Sequence, residues 1–320
     1  MRRKTITDPL ANRKRSAGET SPCLAALFLT ALVLVAESCK EREFNNPFDP
    51  ESPNYVGDEN AVDGNDNGFA DALEPELVLI PGGCFTMGRE DTTGEDSLDA
   101  IIDEDEQPGH KVCVDSFYVK TSEVTVGEFR TVFPERVFEE PEDSMPATKV
   151  SWYDAVEYCN RLSELHDLSP VYSRFGSVFD FYQNGFRLPT EAEWEYAYGS
   201  DSGQLYHWGN ADSLAGDYAW FNDNSGGRTH LVKQLLPNRH GLYDMAGNVW
   251  EWVNDWYGDY TEQISNPQGP LFGTDKVARG ASWNYYLQAL RASNRRALPP
   301  EQTTYDTGFR IVGPGRFAVE

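Results

Sequence analysis

Gly241-Leu242-Tyr243-Asp244-Met245-Ala246-Gly247-Asn248-Val249-Trp250-Glu251-Trp252 is the stretch around which the chain is organised. It holds two indoles, a phenol and two acids, and so much aromatic surface is costly to leave in water. The stretch is therefore expected to form a buried aromatic loop. Acids buried with it need donors, cations or a metal. Asp244 and Glu251 lie seven residues apart, with Gly247 free to turn the backbone between them. Such a loop can aim two carboxylates and some main-chain carbonyls at one hard cation such as Ca²⁺. A buried acid pair capped by backbone N–H groups accounts for the same residues without a metal.

Working outward, all eight tryptophans fall between Trp152 and Trp283, which places the core there. Met145 to Val150 leads to Ser151, a helix cap with Asp154 three residues on. Trp152, Ala155, Cys159 and Leu162 then recur at helical spacing, so that face is core and Cys159 an inert core thiol. Thr190 caps a second helix through Glu193, with Trp194 and Ala197 on its buried side. A short helix is expected around residues 126–132. Leu77–Met87 and Lys111–Lys120 are β-like runs, with His110 to Val119 read as a strand, and Cys84 and Cys113 are placed to pair across them in an oxidising compartment. Residues 277–284 and 307–312 look like short buried strands, with Arg291, Arg295 and Arg296 between them to hold loops through carboxylates. Residues 89–108 are rich in acids and read as an exposed, solvated loop.

The chain of 320 residues carries a formal charge of −25, which argues against nucleic acid as a partner, because phosphate binding needs a basic face. Its start reads as a targeting segment. Arg2, Arg3, Lys4, Arg13, Lys14 and Arg15 precede an apolar run, Leu24 to Ala36, that is short for a membrane span. Residues 1–38 are read as a lipoprotein-type signal peptide with Cys39 as the lipidated first mature residue, anchoring the chain to the outer membrane of a cell envelope. Plain secretion and an uncleaved anchor are the other readings. Residues 39–76 form an acidic, Pro- and Asn-punctuated linker. Within it Asp63, Asn65, Asn67, Gly68, Asp71 and Glu74 fit an EF-hand-like calcium loop, residues 63–74; a solvated acidic tether is the plain reading. The domain proper is set at 77–314, with a tail at 315–320. The five histidines (His110, His166, His207, His230 and His240) are scattered, without the spacing of a metal pair. No phosphate-cradling glycine loop or nucleophile–His–acid order stands out.

In order, Ile80-Pro81-Gly82-Gly83, Glu123-Val124-Thr125, Pro146 to Trp152, Arg187 to Ala197, Gly241 to Trp252, Arg279-Gly280-Ala281-Ser282-Trp283 and Gly308-Phe309-Arg310 resemble the formylglycine-generating enzyme, or sulfatase-modifying factor, family. The resemblance implies an α+β, C-type-lectin-like fold with little regular secondary structure. It implies calcium at the signature stretch, with side-chain oxygens from Asp244 and Glu251 and main-chain carbonyls from Gly247 and Val249.

Catalysis is not implied with the fold. Members that make formylglycine hold Cu(I) between two cysteines just after the Gly-Gly-Ser-aromatic turn, and soft thiolates select that ion. Those positions fall on Tyr285 and Leu290, and no cysteine follows Cys159. Copper is not expected. The family partner of Cys159 falls on Ile311, so Cys159 is expected to be unpaired. Ser282 matches a pocket residue of the family. The expected function is a calcium-stabilised binding or scaffold module of the cell envelope, for a glycan, a peptide or an envelope protein partner. Tyr285 and Tyr286 are then the floor of its groove. A formylglycine-generating-type oxidase, or another enzyme acting on sulfatases or envelope proteins, is the alternative.

Overall fold

The computed structural model describes residues 74–89, 103–139, 142–173, 181, 183–200, 203–260 and 264–314. The expected signal peptide, Cys39, and Asp63, Asn65, Asn67 and Asp71 of the calcium-like loop lie outside them. Among the described residues nine short strands and four α-helices are joined by long loops, a mixed α+β architecture. β1 (Leu77–Ile80), β4 (Phe117–Lys120) and β9 (Val312–Gly313) form one sheet in the order β1-β4-β9. β2 (Gly83–Met87) and β3 (His110–Val114) form a two-stranded ribbon. The third sheet has the order β7-β6-β5-β8, from β5 (Trp250–Trp256), β6 (Lys276–Arg279), β7 (Arg295–Leu298) and β8 (Thr307–Phe309). Its pairs are antiparallel except β5 with β8, which is parallel.

The helices begin where side chains satisfy their first N–H groups. α1 (Val126–Val132) is capped by Thr125, with Glu128 reaching back to the Thr125 N–H. α2 (Trp152–Leu165) has the same reciprocal pair in Ser151 and Asp154, and α3 (Glu191–Tyr198) has it in Thr190 and Glu193. α3 ends at Gly199 in the left-handed conformation. α4 (Ala215–Tyr218) is a single turn.

The core is drawn around β5. Trp152, Trp194, Trp250 and Trp252 are all buried. The Trp152 indole donates to the Val253 carbonyl at 2.8 Å, and Trp252 donates to the Val150 carbonyl at 3.0 Å, so each ring is fixed at its polar end as well as its apolar face. Lys276 lies with its ammonium 3.9 Å from the faces of both Trp152 and Trp256.

Several expectations are corrected. The signature stretch is a loop only to Val249; from Trp250 it is the central strand of a sheet, buried on both faces through Asp255. Strand residues at such a site lose the alternation by which a strand is read. The run from His110 breaks at Asp115–Ser116 into β3 and β4, which join different sheets. β7 was not expected, since Arg295-Arg296-Ala297-Leu298 carries no strand-like alternation. The acidic run at 89–108 is not wholly solvated: Glu106 is fully buried, gripped by Arg291 and by the Ser293 hydroxyl. A carboxylate with a cation and a hydroxyl in place of water can leave the surface.

Candidate functional site

Two neighbourhoods carry the predicted site residues. The first is the acid cluster beneath the signature loop. The loop's shape depends on left-handed backbone at Asp244 (φ 56°), Gly247 (φ 78°) and Asn248 (φ 55°). Gly247 is required there, because a Cβ would lie 2.1 Å from the Trp220 carbonyl oxygen. Glu251, on β5, points inward and accepts from Arg310 Nε at 2.6 Å and Nη2 at 2.5 Å, and from the Trp194 indole at 2.7 Å. Asp244 accepts from the Lys233 N–H at 2.8 Å.

A third acid, Glu123, was quoted in the sequence only as part of a motif. It is fully buried; its Oε1 accepts from the Asn248 amide at 3.2 Å, its Oε2 meets no N–H or hydroxyl donor, and its carboxyl lies within hydrogen-bonding reach of Asp244, where a proton can join the two acids. Burial, reinforced by the neighbouring Asp244 and Glu251 charges, holds the Glu123 carboxyl well above the usual carboxylate range, against the pull of Arg310. Burial likewise pushes Asp244 up to about 6. Three carboxylates thus share one guanidinium, and ionising all three leaves two negative charges uncompensated, an imbalance that a divalent cation or protons must meet.

The donor set fits a hard cation in part. Among the described residues no three His, Cys, Asp or Glu side chains are gathered closely enough to hold a metal by themselves. A cation here would therefore draw on main-chain oxygens, as the Asp244, Gly247, Val249 and Glu251 set does. Glu251 has little to give, since three of its four lone-pair positions already accept protein donors.

The second neighbourhood is an open cleft of about 410 Å³ lined by Trp250, Tyr285, Tyr286, Gln288, Asn294 and Arg296, with Asp103 and Arg291 also on its wall. Tyr285 meets Trp250 edge-on at 5.2 Å. The Arg296 guanidinium lies 5.5 Å from the Trp250 ring and 5.8 Å from the Tyr285 ring, and it donates to Asp306 at 3.3 Å. The buried Ser282 hydroxyl donates to Asn284 Oδ1 at 2.7 Å and lies 3.3 Å from Asp306 Oδ2. Ser282 is therefore behind the cleft wall rather than open to it. Tyr286 is 67% exposed and stands on the rim, not the floor. Leu290 is fully buried and faces the core, while the Tyr198 hydroxyl donates to its carbonyl at 2.6 Å.

The pair Tyr285 and Leu290 offers a phenol and an alkyl chain, so these residues do not fit a thiolate-held copper ion. Among the described residues the free thiol is Cys159; it is buried and unpaired, and burial pushes it far above the ordinary thiol range, which makes it a poor nucleophile and ligand. Cys84 and Cys113 sit opposite each other in the β2–β3 ladder and form a disulfide. Glu74 is exposed at the edge of the described residues.

The arginines between β6 and β8 do hold carboxylates. Arg291 pairs with Glu106, Arg295 with Glu191 at 2.6 Å, and Arg296 with Asp306. Arg279 pairs with Glu195 as well, a partnership the sequence did not suggest. Burial outweighs this ion pair in lifting Glu195 to about 7, although the Arg279 guanidinium beside it holds its own proton more firmly. Arg296 and Asp306 lie 10 residues apart, but the other partners lie 84 to 185 residues apart in the chain, so no local spacing announces them.

Comparison with known proteins places this frame. Residues 67–314 match the profile of the sulfatase-modifying factor enzyme 1-like domain. The formylglycine-generating enzyme of Mus musculus is 28% identical over 306 residues, covering 74% of each chain. The chaperone protein LppX of Paenibacillus barcinonensis is 27% identical over 276 residues, covering 75% of this chain and 90% of that one. Among solved structures, Treponema denticola variable protein 1 superposes with a TM-score of 0.64 at 28% identity, over 74% of this chain and 94% of that one. With this frame, its Trp-rich central strand and a profile match over most of its length, the chain belongs to the sulfatase-modifying factor enzyme 1-like family.

Proposed function

We propose that this chain is a calcium-stabilised binding module of the cell envelope that keeps the family's frame without its cysteine oxidation. One observation carries the reading: Tyr285, which by the family resemblance falls with Leu290 at the copper-thiolate positions, walls an open aromatic cleft. Calcium held by Asp244, Glu251 and the Gly247 and Val249 carbonyls would offset the two charges that Arg310 leaves over, and the crowding of Glu123 with Asp244 and Glu251 supports that demand. The basic and apolar start of the sequence, followed by Cys39, supports a lipid anchor. No helix among the described residues is long and apolar enough to cross a membrane.

The test is incubation of the purified protein with Cu(I), oxygen and a cysteine peptide of the sulfatase type. No aldehyde should form on the peptide by mass spectrometry. Aldehyde formed catalytically would overturn the reading in favour of an oxidase.

A further inference from the structure

The cleft has a chemical bias of its own. Arg296 is 22% exposed, and among the described residues Asp306 is its one hydrogen-bonding partner. A guanidinium presents five N–H donors, so most of this fork is unspent. Trp250, which lines the same cleft, has its indole N–H buried and without a partner among the described residues. A buried donor left unmet is destabilising. The other arginines of the wall are already committed: Arg291 to Glu106 and Asp103, Arg295 to both oxygens of Glu191. Asp103 on the rim is likewise engaged by Arg291. The spare cationic donors of the cleft are therefore those of Arg296, with the exposed Asp103 carboxylate as the acid on its rim, in a molecule whose net charge is −25.

We infer that the cleft binds an acidic saccharide, with the ring laid on the tyrosines and its carboxylate on the free side of Arg296. The inference rests on the binding-module reading above and names its ligand class. A cationic ligand is disfavoured, because the faces of Trp250 and Tyr285 already carry the Arg296 guanidinium. A carboxylate matches the planar fork of arginine and can accept two of its donors at once. A sugar ring has an apolar C–H face that covers an aromatic ring and a polar edge for amide groups, and Tyr285, Tyr286 and Gln288 supply both kinds of surface. A peptide added as a strand finds a poor template. The sheet edge beside the cleft is β7, four residues long, and Arg295 on it bonds across to the Asp105 carbonyl at 3.0 Å. A cleft of about 410 Å³ suits one or two sugar rings.

The probes are trigalacturonate, its methyl ester, which keeps the rings and removes the charge, and triglutamate, titrated into the full-length protein by calorimetry with tryptophan fluorescence alongside. Trigalacturonate should bind and quench, with the ester weaker by about tenfold or more, as expected for loss of a charged hydrogen bond. Arg296→Gln should lower trigalacturonate affinity by a similar factor. Tyr286→Ala should lower affinity several-fold at an unchanged melting temperature, since that side chain stands in solvent. Equal binding of ester and acid would overturn the carboxylate contact while leaving a binding module in place. Binding of triglutamate in preference to the sugar would overturn the saccharide. No binding of any probe at millimolar concentration would overturn this inference; aldehyde formation in the copper assay is the separate result that overturns the module itself.

Discussion

Arg310 and Glu251 meet side-on inside the core, Nε to Oε2 at 2.6 Å and Nη2 to Oε1 at 2.5 Å, with both side chains essentially closed to solvent. The same guanidinium donates to the Lys120 carbonyl at 3.2 Å and the Tyr243 carbonyl at 3.0 Å. One side chain thus ties the end of β4, the signature loop and β5. Arg310→Met strands Glu251 beside Glu123 and Asp244, and breaking a buried pair in this way costs about 3–5 kcal/mol. Adding Glu251→Gln to Arg310→Met should recover part of that loss. Urea unfolding followed by circular dichroism measures both; a double variant as unstable as the sum of its singles would show that the pair is not coupled.

Gly247 separates two costs that glycine replacement can carry. At Gly226, with φ 62°, an added Cβ meets nothing within 4 Å, so Gly226→Ala brings only the left-handed backbone penalty of about 1–2 kcal/mol. At Gly247 the same penalty is joined by collision with the Trp220 carbonyl. Gly247→Ala should be clearly the more destabilising of the two by denaturant midpoint, and equal midpoints would mean that the loop yields freely.

Calcium gives a third prediction. EDTA should lower the melting temperature of the wild-type protein and calcium should restore it, since a ligand bound to the native state stabilises it by mass action. Asp244→Ala should melt lower and lose the response. A wild-type melting temperature indifferent to EDTA removes the metal and leaves protonation as the way the acid cluster is neutralised.

His207 sets an acid limb. Its ring packs against Tyr198, Trp208 and Tyr218, and burial alone pushes it down to about 3. The unfolded chain binds its proton near the ordinary histidine value of about 6.5. Between these two values the unfolded state carries the extra proton, so this group's contribution is present above pH 6.5 and is lost as pH falls toward 3, by up to about 1.4 kcal/mol per unit. His207→Phe keeps the ring and removes the proton. The difference in unfolding free energy between wild type and variant should change across that window and stay flat above it; a pH-independent difference would show that His207 is hydrated.

The helices were legible because their signals are local: Ser151 with Asp154, and Thr190 with Glu193, lie three residues apart and meet as the sequence proposes. The family frame was legible for a similar reason, through motifs kept intact in chain order. Pairings were not. Glu106 looked like one more acid in a solvated run until Arg291, 185 residues on, was seen to grip it. Glu123 carried no sign that it would be buried next to Asp244. β7 was hidden because two adjacent arginines do not look like a strand, although Arg295 finds its carboxylate partner in Glu191. At the cleft the sequence identified Tyr285 but put Tyr286 on the floor rather than the rim, since exposure depends on how the turn at 287–290 closes.

The last strands carry a consequence for biosynthesis. β8 pairs with β5, and β9, three residues later, pairs with β4, so residues 307–313 stitch two sheets whose other strands begin as early as Leu77. A nascent chain leaving the ribosome holds most of its tryptophans long before it holds these staples. Contacts of such sequence separation form slowly and leave apolar surface open while they wait. Until residue 309 is made, Trp252 and Glu251 lack the strand that seals them, and the apolar face of β5 is left open.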